Sequence, residues 1–327
     1  MLEFTLKRLA TLVVMMVAMS VLTFVIIQAP PGSYIDAYIM QESASNQGLT
    51  FDREALTRQF GLDKPMHIQY FKWVWGILHG NLGWSMEWQK PVTELIGDRI
   101  WMTLILGVST VLFTWTLAIP IGIISAIKQY SIIDYVFTFL SYLGVGTPNF
   151  LLALMILYFS FAWFDIKISG LFSIDFQDEP WSFGKFIDML KHIWVPMLIL
   201  GTDGTARFTR IIRANLLDEL NKPYVETARA KGLSEAKVIL KYPTRIAIMP
   251  FISTAGWQLP QLFSGSLIVA TVMSLPTVGP VLLRSLFAQD MYLAGSVILI
   301  LTVLTMIGTF ISDITLALMD PRIRMEA

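Results

Sequence analysis

Long uncharged stretches constrain this chain more than any other feature. Leu9 to Ala29, Ile100 to Ile127, Tyr135 to Phe164 and Met291 to Ser312 contain no Asp, Glu, Lys or Arg. Crossing about 30 Å of hydrocarbon takes roughly 20 apolar residues in a helix, so each run predicts a span. Ile193 to Ala206 is shorter and contains Asp203, and its flanks complete it. Ile246 to Leu283 is too long for one span and predicts a turn at "SLPTVGP". The expectation is an all-α membrane protein with six transmembrane helices. Composition agrees: charged residues are 15% of the chain and mean hydropathy is +0.62, against about 25% charged residues in soluble domains.

Basic residues orient the spans. With the N-terminus inside, the inner segments carry 14 Lys and Arg and the outer ones 10, and nine of the inner ones lie between 207 and 245. Both termini are therefore expected on the cytoplasmic side. Lys7 and Arg8 before an apolar run could suggest a signal peptide. The run is too long for a signal core and no A-x-A site follows, so a retained first span is expected.

Several chemistries are excluded or left without residues. The chain has no Cys, so disulfides and thiolate catalysis are excluded. His67, His79 and His192 form no HExxH or other metal-ligand pattern; no metal site and no catalytic residue is expected. A zero formal net charge leaves no footprint for nucleic acid. No Walker A loop is present, since the one Gly-Lys, in "WSFGKF", lacks the first Gly and the final hydroxyl. No cofactor is expected in this chain. Acidic groups within or beside the spans are few, namely Asp134, Asp203 and Asp313. An ion-coupled secondary transporter or a channel acting without an ATPase rests on these alone. A membrane-anchored enzyme would rest on His67, His79 and the carboxylates of 30–99.

Gly and Pro interrupt the spans at "AIPIG", "GVGTPN", "GTDGT" and "WQLPQLFSG". Two readings stand. Small residues allow close helix packing; alternatively, broken helices line a translocation path. The second reading takes Asp203, Pro148, Asn149, Gln258 and Gln261 as path residues. Asp203 is also placed to pair with Arg207 one turn on.

"KPYVETARAKGLSEAKVILKY", residues 222 to 242, is polar and basic between two apolar runs. It reads as two short helices about a hinge. Asn221 is the expected N-cap and Pro223 suits the first turn. Gly232 ends the first helix, Ser234 caps the second, and Pro243 stops it. Ala228 and Ala230 allow close approach of another surface, and Glu226, Arg229 and Lys231 supply charge. A basic loop resting on anionic headgroups would explain the charge, but not the Glu-x-Ala-x-x-x-Gly spacing.

"ETARAKG" resembles the EAA---G segment of bacterial ABC importer permeases, with Glu226, Ala228 and Gly232 at matching positions and Thr227 in place of the middle Ala. The longer interval to Ile248-Met249-Pro250 is similar to the dipeptide/oligopeptide permease branch. "MLEFTLKRLATL", "FGLDKPMHIQYFKWVWGILHGNLGWSM" and "MDPRIR" resemble the same branch, in the same order. The resemblance implies a coupling helix seated on an ATPase, with Tyr224, Glu226, Ala228, Arg229, Lys231 and Gly232 as its coupling residues. It implies four kinds of partner: a homologous second permease, two ABC ATPases carrying the ATP and Mg, an extracytoplasmic substrate-binding protein and the lipid bilayer. It also implies the bacterial inner membrane, and three segments: 1–29 as the first span, 30–99 as an outer segment and 100–327 as the permease core with coupling segment 214–245. "LPTVGP" and "GTDGTARFTR" depart from many members and look closer to the oligosaccharide importers. Eight of the ten Trp, including Trp73, Trp84 and Trp88, fall in outer segments or at their edges. Flat aromatic faces suit sugar rings, so an oligosaccharide is expected over a peptide, although Trp belts also mark membrane interfaces.

Overall fold

The structure is a computed structural model. It describes residues 2–28, 39, 57–58, 63–85, 87–177 and 179–319. Among these the elements are α1 (Leu2–Gln28), α2 (Met66–Leu78), a hairpin of β1 (Trp84–Ser85) and β2 (Lys90–Pro91), α3 (Val92–Ile127), α4 (Ile132–Gly146), α5 (Asn149–Phe164), a 3-10 turn (Ile174–Phe176), α6 (Phe183–His192), α7 (Trp194–Leu220), α8 (Pro223–Ala230), α9 (Glu235–Lys241), α10 (Pro243–Val272), α11 (Val278–Phe287) and α12 (Met291–Met319). "MDPRIR" beyond Met319, and most of 29–62, lie outside the described residues.

Among the described residues three helices are long and apolar enough to cross a membrane, over Glu3–Ile26, Val92–Ile127 and Met291–Leu318, and a bent pair, α4 with α5, makes a fourth if it is one span. Much of their apolar surface faces outward: Val14 of α1 and Leu112 of α3 are exposed. That is the surface a bilayer covers. The run from Tyr135 to Phe164 is not one straight span. It bends by 102° between α4 and α5. Pro148 causes the break, because its ring drives the preceding Thr147 out of helical conformation, to ψ 116. The long run from Ile246 turns where expected, between α10 and α11, with Ser274 at φ 54. α7 and α10 stand at the remaining two expected spans. α7 continues past the apolar run to Leu220, so its second half carries charge.

The chain divides into two compact units. In the first (Met1–Arg8, Thr103–Pro276, Thr305–Ala327), α7 packs most extensively against α10 and α4. Ala118, Phe208, Ile212 and Phe251 form its core, joined by Trp115. Phe251 meets the Phe208 ring edge-on at 4.7 Å and the Trp115 ring at 5.1 Å. Glycines set the helix spacing. A Cβ at Gly122 would sit 2.9 Å from Ile212, one at Gly144 3.0 Å from Ala206, and one at Gly201 2.7 Å from Phe113. At these breaks the small-residue reading is therefore the observed one. Arg8 and Asp313 approach to 3.4 Å, which ties the start of α1 to the end of α12.

In the second unit (Leu9–Met102, Thr277–Leu304), α1 packs on α2 through Phe24, Tyr70 and Trp73, and the Ser20 and Tyr70 hydroxyls share a hydrogen bond of 2.8 Å. The hairpin is pinned by Asp290, a wholly buried carboxylate ahead of α12. It accepts from the Ser85 hydroxyl at 2.5 Å, from the Glu87 N–H at 3.2 Å and, as a helix cap, from the Leu293 N–H at 3.2 Å. Arg284 donates to Glu87 at 2.9 Å and lies over the Trp88 ring at 4.4 Å.

Candidate functional site

Residues 222–242 fold as two helices about a glycine, on an apolar base. Pro223 opens α8 at its first position, where a missing N–H costs nothing. The N-cap is Lys222, without a side-chain bond, and not Asn221. Asn221 instead ends α7, donating its Nδ2 to the Leu217 carbonyl at 3.1 Å. Tight succession of the helices explains the shift: one residue cannot both close α7 and open α8. The Gly232 N–H donates to the Arg229 carbonyl at 2.9 Å, and its φ is 74. That region is open to glycine and strained for most other residues. Ser234 precedes α9 as its N-cap, yet its hydroxyl makes no cap bond. α9 ends at Lys241, before Pro243 begins α10.

The faces of this segment are sorted by chemistry. Val225, Ala228 and Val238 are buried together, with Tyr224, Leu233 and Tyr242 packed around them. Ala228 therefore points into the base, and the small side chain left at the surface is Ala230. Tyr224 is half-buried and donates its hydroxyl to the Glu219 carboxylate of α7. Burial first, then that carboxylate, pushes the Tyr224 hydroxyl well above the usual phenol range, so it stays a neutral donor. Glu226, Arg229, Lys231 and Gly232 are exposed. Arg229 reaches across the turn to Glu235, donating from Nη2 at 2.6 Å and from Nε at 3.1 Å. That guanidinium holds the Glu235 carboxyl below its ordinary value, so the bridge is fully charged at neutral pH. The result is a charged knuckle on an apolar base.

A second constellation fixes the helices behind the knuckle. Asp134, near the start of α4, accepts from Arg213 of α7 in bidentate fashion, at 2.7 Å from Nε and 2.8 Å from Nη2. The Ser125 hydroxyl and the Tyr130 N–H also donate to it. The Asp134 side chain is 3% exposed and that of Arg213 26%. The Ser131-x-x-Asp134 spacing signals only the local cap, in which the Asp134 N–H donates to Ser131 Oγ at 3.3 Å. Nothing in the sequence marks Arg213, 79 residues on, as the partner.

Asp134, Asp203 and Asp313 are each arginine-paired: Asp134 with Arg213, Asp203 with Arg207 at 2.9 Å, and Asp313 with Arg8. Asp203 is thus observed in its ion-pair reading. Pro148 and Asn149 lie at the α4–α5 break, where Asn149 Oδ1 is buried without a hydrogen-bond partner. Gln258 and Gln261 are on α10, but their side chains fall outside the described residues. Among the described residues no group of His, Asp and Glu could hold a metal ion.

The family model described as "Binding-protein-dependent transport system inner membrane component" matches residues 118–325, and the corresponding N-terminal model matches 1–107. The chain is 32% identical over 324 residues to the oligopeptide transport system permease protein AppB of Bacillus subtilis, covering 98% of both chains. It is 33% identical over 342 residues to the dipeptide transport system permease protein DppB of Escherichia coli K12, covering 99% of both. Among solved structures, an inward-facing form of the MetNI methionine ABC transporter aligns with a TM-score of 0.52, at 14% identity, over 70% of this chain and 97% of that one. This last likeness concerns the fold alone.

Proposed function

From the premise that the chain belongs to the family of binding-protein-dependent transport system inner membrane components and is a permease subunit of an ABC importer, we propose that its 222–242 knuckle docks on a partner ATPase and couples ATP hydrolysis to movement of the helices behind it. The observation that carries this reading is the sorting of the knuckle. Glu226, Arg229 and Lys231 face outward around a glycine-dependent turn, while Val225, Ala228 and Val238 root it in the protein. A loop lying on lipid headgroups needs no such fixed geometry. Tyr224 and Ala228 serve in the base, and Glu226, Arg229 and Lys231 in contact with the partner. The chain supplies the path, and ATP and Mg are bound by the ATPases. A second homologous permease and an extracytoplasmic binding protein complete the assembly in the bacterial inner membrane. Arginine pairing of Asp134, Asp203 and Asp313 weighs against the alternative of an ion-coupled transporter, which needs acids free to take up and release ions.

The cargo in this reading is a short oligomer. The names of the relatives favour an oligopeptide. One observation keeps an oligosaccharide as the second reading: Trp84 lines a cavity of ≈ 430 Å³ with Tyr292, Trp73 and Lys72. The wider Trp argument is weaker, because Trp73 is buried against Phe24 and the Trp88 face is covered by Arg284. Uptake by the reconstituted transporter with its binding protein separates the two. Saturable ATP-dependent uptake of labelled di- to pentapeptides, with none of di- to tetrasaccharides, is the result expected from the relatives; the reverse selects the sugar.

The orientation of the knuckle is tested separately. The chain has no native Cys, and Ser234 is exposed and makes no cap bond, so Ser234→Cys is a clean probe. An impermeant thiol reagent is expected to label it only after the cells are permeabilised. Labelling of intact cells would invert the topology.

A further inference from the structure

Helix α6 is built inside out. Its buried residues are Lys185, Asp188 and Met189. Phe183 is 80% exposed, Phe186 43%, Ile187 36% and Leu190 48%. In a water-facing helix the charged side chains would take the outer face and these four the inner one.

The polar face is fully employed. Lys185 Nζ donates to the carbonyls of Gln177 and Glu179, and lies 4.9 Å from the centre of the Phe172 ring. Asp188 accepts from the Ser173 N–H at 2.7 Å. The preceding loop therefore wraps the charges of α6 and leaves its apolar side outward. That side continues into α7, which stands at one of the expected spans. Ile193, between α6 and α7, keeps helical angles (φ -65, ψ -24), and the Met197 N–H donates to its carbonyl at 3.0 Å. Phe183, Ile187, Leu190 and exposed Trp194 thus recur every three or four residues, forming one stripe that runs into the apolar half of α7.

We propose that α6 is an interfacial helix seated in the outer leaflet, apolar stripe down, which fixes the loop before α7 at the membrane surface. Continuity with a helix at an expected span favours lipid as the occupant. So does the chemistry of the face: between 183 and 190 its exposed residues offer no side-chain hydrogen-bond donor or acceptor, whereas protein interfaces of any size carry several. Lys191, exposed at the end of the helix, reaches the headgroups while its stem stays on apolar surface. Helices of this type bury their apolar face about 5–10 Å into the headgroup–acyl boundary. This proposal rests on the expected orientation, with the loop before α7 on the outer side of the membrane, and it stands or falls independently of ATPase docking.

The test uses the full chain, purified with the subunits that accompany it and reconstituted into phosphatidylcholine/phosphatidylglycerol vesicles. Single cysteines replace Phe186, Ile187, Leu190 and Lys191 in turn, each labelled with bimane. Quenching by lipid brominated in the acyl chains is expected to be several-fold stronger at 186, 187 and 190 than at 191. Quenching by aqueous iodide is expected to rank the other way. Iodide quenching at the first three sites equal to that at 191 would place the face in water and overturn the proposal. Protection of all three from both quenchers would place it under protein and overturn it equally. Three probe positions on one face keep the test decisive if a single variant fails to fold.

Discussion

Gly232→Val is expected to insert in the membrane at the level of the parent chain and to abolish substrate-stimulated ATP hydrolysis by the assembled transporter. Gly232 has φ 74, and a Cβ built there meets nothing within 4 Å. The cost is therefore one of backbone conformation, not of collision. Holding a non-glycine residue in the left-handed region costs about 1–2 kcal/mol, and more for a β-branched side chain. That is too little to unfold a membrane domain whose core lies elsewhere, at Phe208, Ile212 and Phe251. It is enough to re-aim α9 against α8, because the turn is all that separates Ala230 from Glu235. Gly232→Asn is the control, since asparagine tolerates this region; it should retain most of the coupling. Normal stimulated hydrolysis in the Val variant would contradict a docking role for the turn.

Arg213→Ala is expected to produce the largest stability loss of any single substitution considered, about 3 kcal/mol. Removing one partner of a buried ion pair leaves a desolvated charge and costs about 3–5 kcal/mol; partial exposure of Arg213, at 26%, puts the loss at the low end. Asp134 would keep its bonds from Ser125 and the Tyr130 N–H, which do not neutralise it. Replacing both members, as Asp134→Asn with Arg213→Met, removes the stranded charge and should recover most of the loss. Thermal unfolding of the purified protein reads both. A melting temperature for Arg213→Ala equal to that of the parent, or a double variant less stable than Arg213→Ala, would show that the pair does not hold α4 to α7.

Local chemistry makes the knuckle legible in the amino-acid sequence. Pro223, Gly232 and Pro243 each constrain their own backbone, so the two helices and the turn follow from residue type and spacing. The break at Pro148 is visible as a Gly/Pro interruption, but its 102° angle is not, because hydropathy runs smoothly through both halves. Neither is the inward position of Ala228, which depends on Val238 meeting it from the next helix. Long-range polar contacts are hidden for the same reason. Arg213 finds Asp134 across 79 residues, and Asp290 finds Ser85 across 205; no periodicity links such positions. The acids of the spans can be counted in the sequence, but their arginine pairing, which weighs against free ion sites, arises only when the helices pack.

The most direct measurement of the central claim is photo-cross-linking from position 226 in intact membranes. Glu226 is exposed on α8, away from the Val225–Val238 base, so a photoreactive residue there leaves that base intact. Mass spectrometry of the cross-linked product should identify a subunit carrying a Walker A loop, with a yield that changes when ATP is bound. Products joined only to lipid or to an extracytoplasmic protein would contradict the account.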